Sequence, residues 1–176
     1  FFQRNDDKNV IISRMQKKMD KVVASIWRND NELLQSQGDL INLASLIEAE
    51  AKNNFEKYTI SSVFYNRIKI GMKLQSDPTI LYYKNLKSKI KTRKIFKKDL
   101  LSDNPWNTYT RKGLPLTAIC SPGIQALDAA MNPRKTSFLY FVADGNGGHR
   151  FSDNYKEHLA NIKLWKDKLR ESNEIK

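Results

Sequence analysis

Glu48 lies in a stretch of the sequence that otherwise reads as a buried helix, Leu43-Ala44-Ser45-Leu46-Ile47-Glu48-Ala49-Glu50-Ala51. A carboxylate among apolar side chains is costly unless it is paired or has a chemical task. Burial also raises the pKa of a carboxyl group, as a general acid working near neutral pH requires. Alternatively, Glu48 marks the solvated edge of an amphipathic helix. This stretch alone leaves both interpretations open.

A second carboxylate is needed if the chemistry is that of a standard glycosidase. Glu50 follows Glu48 by two residues, so the two side chains point about 200° apart on a helix and cannot share one site. We therefore expect Glu50 to face solvent or to pair with Lys52 or Lys57. Asp77 is the remaining candidate, although its position in Ser76-Asp77-Pro78 also suits a role in forming a turn.

The composition predicts one domain with an excess of positive charge. The chain has 176 residues, enough for a single hydrophobic core, and a formal net charge of +12. Lysines outnumber arginines by 22 to 9, whereas nucleic-acid-binding proteins rely on arginine for bidentate contacts and on interleaved aromatic residues for stacking. We interpret the basic cluster at Lys84–Lys98 as a solvated insertion that attracts an anionic wall or membrane surface. It comprises Lys84, Lys87, Lys89, Lys91, Arg93, Lys94, Lys97 and Lys98.

Cysteine and histidine usage predicts neither a disulfide nor a metal site. Cys120 is the only cysteine in the sequence, which excludes an intrachain disulfide, and we expect it to be a small buried residue. The two histidines, His149 and His158, lack the spacing of a metal-binding pair. The glycines of Gly145-Asn146-Gly147-Gly148 indicate a hairpin turn that needs positive φ angles rather than a phosphate-binding loop.

Hydrophobic spacing predicts an α+β fold, mainly helical with a small antiparallel sheet. Ser76-Asp77-Pro78 is predicted to be a loop, the segment 84–105 to be irregular around one helical turn, and Gly38-Asp39 to cap the helix that carries Glu48. No stretch approaches the roughly 18 apolar residues of a membrane span. The predicted helices cover Asn9–Arg28, the segment after Gly38-Asp39, Phe55–Ile70, Pro122–Ala130 and Tyr155–Arg170; the predicted strands are Phe138–Val142 and Arg150–Ser152.

An ordered set of motifs follows Glu48 along the chain. The sequence resembles the YceG/MltG-like family of endolytic murein transglycosylases, and the motifs occur in the family's order from Leu43 to Trp165. The Gln-Ser-Asp-Pro-Thr loop and the Phe-Val-Ala-Asp-Gly strand end are the most specific. The motifs are Leu-Ile-Glu-Ala-Glu-Ala, Val63-Phe64-Tyr65-Asn66-Arg67-Ile68, Gln75-Ser76-Asp77-Pro78-Thr79, Asn104-Pro105-Trp106-Asn107-Thr108-Tyr109, Ser121-Pro122-Gly123, Phe141-Val142-Ala143-Asp144-Gly145 and Gly148-His149-Arg150-Phe151-Ser152.

The resemblance implies a lytic transglycosylase that uses one helix carboxylate, as lysozyme-like enzymes do. Glu48 would protonate the bond between N-acetylmuramic acid and N-acetylglucosamine, then take a proton from the sugar's own 6-hydroxyl, leaving a 1,6-anhydro end. No cofactor and no metal is implied. The residues that match family positions for binding glycan are Gln75, Ser76, Asp77, Asn107, Tyr109, His149 and Ser152.

The resemblance also predicts the organisation and setting of the protein. Residues 1–38 would form an N-terminal helix and connector and residues 39–170 the catalytic core, with a membrane helix and a LysM-like module upstream. The expected location is the outer face of a bacterial cytoplasmic membrane, with peptidoglycan glycan strands as substrate, peptidoglycan synthases as partners and no specific nucleic acid. Two alternatives stay open: a muramidase that uses water, and a non-catalytic basic module that binds wall polymer or nucleic acid.

Overall fold

The computed structural model describes residues 6–51, 53–88 and 91–174. Lys52 and Lys89, which entered the predictions above, lie outside these ranges. In chain order the elements of the described residues are α1 (Lys8–Ile26), α2 (Gln37–Glu50), α3 (Lys57–Lys69), α4 (Asp77–Lys87), α5 (Lys97–Leu100), α6 (Ile124–Met131), β1 (Tyr140–Ala143), β2 (His149–Ser152) and α7 (Tyr155–Glu174). The prediction of a mainly helical α+β domain with a small antiparallel sheet is confirmed.

Helix α2 forms the centre of the core because apolar residues surround it. Its side chains from Leu43 to Ile47 are all buried, and it packs most extensively against α6, then against α3 and α1. Small residues of α6, Ala126, Ala129 and Ala130, face the core and let the two helices approach closely. Burial on every face of α2 leaves its C-terminal turn as the place where polar side chains emerge.

Helix α2 begins one turn earlier than predicted. Ser36, not Gly38-Asp39, is the N-cap, because its side chain accepts a hydrogen bond from the Asp39 backbone N–H at 3.1 Å. The Asp39 carboxylate reaches back to the Gln35 N–H at 2.9 Å. Ser36 and Asp39 thus satisfy two backbone donors in a manner close to a capping box.

The predicted loop at Ser76-Asp77-Pro78 is in fact the start of a helix, α4. Ser76 is its N-cap and Pro78 occupies the first turn, where its fixed φ and missing N–H are compatible with a helix. The basic cluster at Lys84–Lys98 begins within α4, and its first lysine is bonded inside the fold. The Lys84 ammonium donates to Asp99 at 2.6 Å and to the Lys94 carbonyl at 2.9 Å, so this lysine stabilises the fold rather than standing free in solvent.

Strands β1 and β2 form the predicted antiparallel hairpin, with Tyr140 paired with Ser152 and Ala143 with His149. Gly145 and Gly147 have φ angles of 79° and 94°, which confirms that the turn needs glycine. Helix α7 packs against both strands. The hairpin therefore holds His149 in a defined position.

Arg67 connects α3 to the hairpin and to the segment before α4. It is only 7% exposed, and its guanidinium donates to the Leu139 and Leu74 carbonyls at 2.6 Å each. It also lies over the Tyr140 ring, 5.5 Å from the centroid. One buried cation thus fixes the two segments that flank the end of α2.

No helix in the described ranges combines the length and the apolar character needed to cross a membrane.

Candidate active site

Glu50 lies in the last turn of α2. Among the described residues, its carboxyl group is the one whose pKa is raised furthest. Its Oε1 accepts a hydrogen bond from the Ser76 hydroxyl at 2.7 Å. Burial, with a smaller contribution from the negative charge of Asp77, raises the pKa of Glu50 to about 7. The Ser76 hydrogen bond and the nearby His149 and Arg67 side chains oppose this rise. Because Glu50 keeps part of its surface exposed, the group can exchange a proton with a bound molecule near neutral pH.

The segment that brings Ser76 to Glu50 is tightly held. The Gln75 N–H donates to the Thr108 carbonyl at 3.1 Å, and the Ser76 N–H donates to the Thr108 hydroxyl at 2.9 Å. Gln75 itself has a φ of 50°, a left-handed conformation that is unfavourable for a residue other than glycine. The fold therefore places strain next to the group that orients the Glu50 carboxyl.

Asp77 and Tyr109 form one wall of the site. The Tyr109 hydroxyl donates to the Asp77 carboxylate at 2.5 Å. Burial and the neighbouring Asp77 raise the pKa of the Tyr109 phenol, so this hydroxyl remains a donor at physiological pH. Asp77 is exposed, and its negative charge lies near enough to Glu50 to favour the protonated form of that carboxyl group.

His149 also lies near Glu50 and is held by Glu56. One Glu56 oxygen accepts the His149 backbone N–H and the other lies on the ring Nδ1, both at 2.8 Å. The two side chains are only 14% and 19% exposed. An ionised Glu56 makes Nδ1 the protonated ring nitrogen, so Nε2 is left to accept a hydrogen bond from a bound molecule.

Glu48 occupies a different environment from the one predicted. Its Oε2 accepts from the Lys57 ammonium at 2.9 Å and from the Gly123 backbone N–H at 3.2 Å. The Lys57 side chain is only 6% exposed, and Gly123 is the N-cap of α6. Glu48 therefore joins α2, α3 and α6 through an ion pair and a helix N-terminus, which both stabilise a carboxylate.

The structure therefore reverses the environments that were predicted for the two glutamates. The separation of about 200° was a sound inference, but the expectation that Glu50 faces solvent or pairs with Lys57 was wrong: Lys57 pairs with Glu48, and Glu50 faces Ser76. The assignment of Glu48 as the catalytic residue is not tested by this geometry and stays a prediction.

The structure brings four of the other predicted site residues close to Glu50: Ser76, Asp77, Tyr109 and His149. Gln75 is exposed beside them. Two predicted residues are not placed to contact a ligand. Asn107 is 1% exposed, and its amide donates to the Leu100 and Ser102 carbonyls at 3.1 and 2.6 Å. Ser152 is fully buried in β2.

Sequence reasoning missed Arg67 and Glu56, which position the site. A charged residue inside the apolar motif Val63-Phe64-Tyr65-Asn66-Arg67-Ile68 was the available signal for Arg67. Glu56 gave no signal, because its contact with His149 joins residues 93 positions apart. The expectation that Cys120 is buried was wrong: the residue is exposed.

Comparison with known proteins places these features in context. The profile of the YceG-like family matches residues 1–164. An endolytic murein transglycosylase of Bacillus subtilis (strain 168) is 40% identical over 148 residues, which cover 84% of this chain and 40% of the relative. One of Streptococcus pneumoniae serotype 2 (strain D39) is 31% identical over 154 residues, covering 86% and 28%. The chain thus spans less than half the length of these relatives.

A solved structure also matches this chain. The crystal structure of a yceG-like protein from Listeria monocytogenes matches with a TM-score of 0.77 and 35% identity. The match covers 91% of this chain and 50% of that chain.

The raised pKa of Glu50 predicts a pH-dependent effect of Glu50→Gln on stability. The pKa rises from 4.5 to about 7 in the fold, so between these values the folded state binds more protons than the unfolded state. Stability is therefore lost as pH rises through this window. Relative to the parent, Glu50→Gln should gain up to ~3 kcal/mol in free energy of unfolding between about pH 4.5 and about pH 8.

Urea unfolding of both proteins across this range measures the effect. Glu48→Gln is the control, because it removes the partner of the buried Lys57. Its free energy of unfolding should not rise above that of the parent as the pH increases. A difference between Glu50→Gln and the parent that stays constant with pH would show that Glu50 titrates normally.

Proposed function

This chain belongs to the YceG-like family, and on that premise we propose that it cleaves the glycan strands of peptidoglycan by lytic transglycosylation. The observation that carries the proposal is the Glu50 carboxyl, whose pKa of about 7 suits both donation and acceptance of a proton. The names of the relatives, endolytic murein transglycosylases, support the substrate and the internal mode of cleavage.

The proposed reaction needs one carboxyl group. Protonated Glu50 donates its proton to the oxygen that leaves the anomeric carbon of N-acetylmuramic acid, and the bond between them breaks. The ionised carboxylate then takes the proton of the 6-hydroxyl of the same sugar, whose oxygen bonds to the anomeric carbon. The product carries a 1,6-anhydro end and Glu50 is protonated again. Because the nucleophile belongs to the substrate, no water has to be held.

The surroundings of Glu50 suit both steps. Burial and Asp77 favour the protonated form that begins the reaction, whereas Ser76, His149 and Arg67 stabilise the ionised form that follows. The Ser76 hydroxyl engages Oε1, which leaves Oε2 as the oxygen to meet the substrate. Opposing influences of this kind keep a carboxyl group useful as acid and as base.

We assign the catalytic role to Glu50 rather than to Glu48. The Glu48 Oε2 is engaged by Lys57 and by the Gly123 N–H. These contacts tie Glu48 to α3 and to the start of α6, which is the arrangement of a structural ion pair rather than of a group that faces a bound molecule. Asp77, in contact with Tyr109, serves to raise the pKa of Glu50 rather than to activate a water molecule.

The proposed cellular role is to limit the length of new glycan strands outside the cytoplasm, at the outer face of the cytoplasmic membrane and together with peptidoglycan synthases. The net charge of +12 supports this setting, since a basic protein is attracted to an anionic wall and membrane surface.

Two isosteric variants test the assignment of the acid. Glu50→Gln keeps the shape of the site but removes the proton donor, so turnover of peptidoglycan should fall at least ~100-fold. Glu48→Gln should lose stability and retain most of its turnover in the folded fraction. Rates are measured on purified peptidoglycan, with circular dichroism to quantify folded protein. Loss of turnover in folded Glu48→Gln together with full activity of Glu50→Gln would restore the original assignment.

The product ends test the reaction class. Mass spectrometry of digested peptidoglycan should find 1,6-anhydro-N-acetylmuramic acid ends, each one water lighter than a reducing end, because the 6-hydroxyl is the nucleophile. Ordinary reducing ends would indicate a muramidase that uses water and would give Asp77 a catalytic role. Absence of cleavage, with binding only, would favour a non-catalytic wall-binding module.

A further inference from the structure

A groove of about 460 Å³ lies beside the end of α2, between that helix, α4 and the segment at Ile119. We call it the α4 groove. Its walls are mainly aliphatic, and Leu86 in α4 is 58% exposed there. Exposed aliphatic side chains that line a concave surface are typical of a binding site. The lining residues include Ala49, Pro78, Leu81, Leu86, Lys91 and Ile119.

The α4 groove includes residues that are sequence neighbours of two residues of the proposed active site. Ala49 immediately precedes Glu50 in α2, and Pro78 immediately follows Asp77 in α4. Consecutive helix residues point about 100° apart, so the groove lies to the side of the Glu50 carboxyl rather than beneath it. A group that branches sideways from a sugar bound at Glu50 would enter the groove.

The polar side chains that line the α4 groove are Tyr82, Asn85 and Lys91. The Asn85 side chain is occupied by the Thr92 backbone, with N–H to Oδ1 at 2.8 Å and Nδ2 to the carbonyl at 3.1 Å. The Lys91 ammonium uses one of its three donors on the Asn85 carbonyl at 2.9 Å. Five of the eight lining residues are aliphatic and Lys91 is the one charged residue among them, so the groove suits a mainly apolar group that carries an anion better than a second sugar ring, which needs many hydrogen-bond partners.

We propose that the α4 groove binds the peptide stem that N-acetylmuramic acid carries. The stem starts with the methyl groups of the lactyl ether and the first alanine, which suit Leu81, Leu86 and Ile119. An acidic residue follows, whose carboxylate suits Lys91. This inference rests on the proposed function: it makes the enzyme selective for glycan that still carries stems.

Strands with and without stems test the proposal. The parent chain is given purified glycan strands bearing stems, and the same strands after an amidase has removed them. We expect kcat/KM for stem-bearing strands to be at least roughly 10-fold higher, because filling an apolar pocket discriminates by that factor or more. Leu86→Asp should lose most of this preference while cleaving bare strands as the parent does.

Leu164→Asp is the matched control, since Leu164 lies on α7 and is 51% exposed. It should behave as the parent on both substrates. Equal rates of the parent on the two substrates would overturn the groove proposal and leave the proposed function intact. The proposal would also be overturned if Leu86→Asp and Leu164→Asp lost the preference for stem-bearing strands equally. The same holds if Leu86→Asp alone lost activity equally on both substrates.

A binding experiment separates this proposal from the proposed function. N-acetylmuramyl-alanyl-isoglutamate and N-acetylmuramic acid are titrated into the methyl-labelled parent, and the methyl resonances of Leu81, Leu86 and Ile119 are followed by NMR. If only the peptide-bearing compound shifts these methyl resonances, the groove proposal is supported. It is then supported even if the protein cleaves no strand, and only the proposed function fails. Equal shifts by both compounds, or none, contradict the groove proposal.

Discussion

The whole arrangement depends on one costly feature, a carboxyl group that is partly buried at the end of an apolar helix. Burial works against the ionised form of Glu50 and raises its pKa to about 7. Such a group persists only if the surrounding structure is stable enough to hold it. Helix α2 supplies that stability, because its apolar side chains are buried on every face against α1, α3 and α6. Glu48 adds to it by joining α2 to Lys57 and to the start of α6.

The polar groups around Glu50 are in turn fixed by residues that do not belong to the site. Thr108 holds the backbone that presents Ser76, and Asn107 holds the loop that presents Tyr109. Glu56 orients His149 through two contacts, and Arg67 ties the hairpin to α3. Buried hydrogen bonds of this kind leave the side chains of a site little freedom, which is what proton transfer at a fixed distance requires.

Sequence reasoning singled out the helix that carries the proposed acid, and the points where its expectations differ from the structure have physical causes. The spacing of two residues shows that Glu48 and Glu50 point in different directions on the helix. Because the helix is apolar on all sides, the sequence does not show which of the two faces a bound molecule. Deciding between them required the position of Lys57, which depends on how α3 packs against α2. Asn107 matched a motif position although its contacts hold a loop, and a motif alone does not distinguish support from contact. The hairpin was predictable because its turn glycines act locally.

The central claim is that the Glu50 carboxyl group titrates near neutral pH, as the acid and base of the proposed reaction. NMR titration of protein labelled with ¹³C at the glutamate side-chain carboxyl, with the two resonances assigned from Glu50→Gln and Glu48→Gln, measures this directly. Glu50 should titrate near pH 7, and Asp77→Asn should lower that value because it removes a neighbouring negative charge. A Glu50 resonance that titrates near 4.5 and is unaffected by Asp77→Asn would contradict the account.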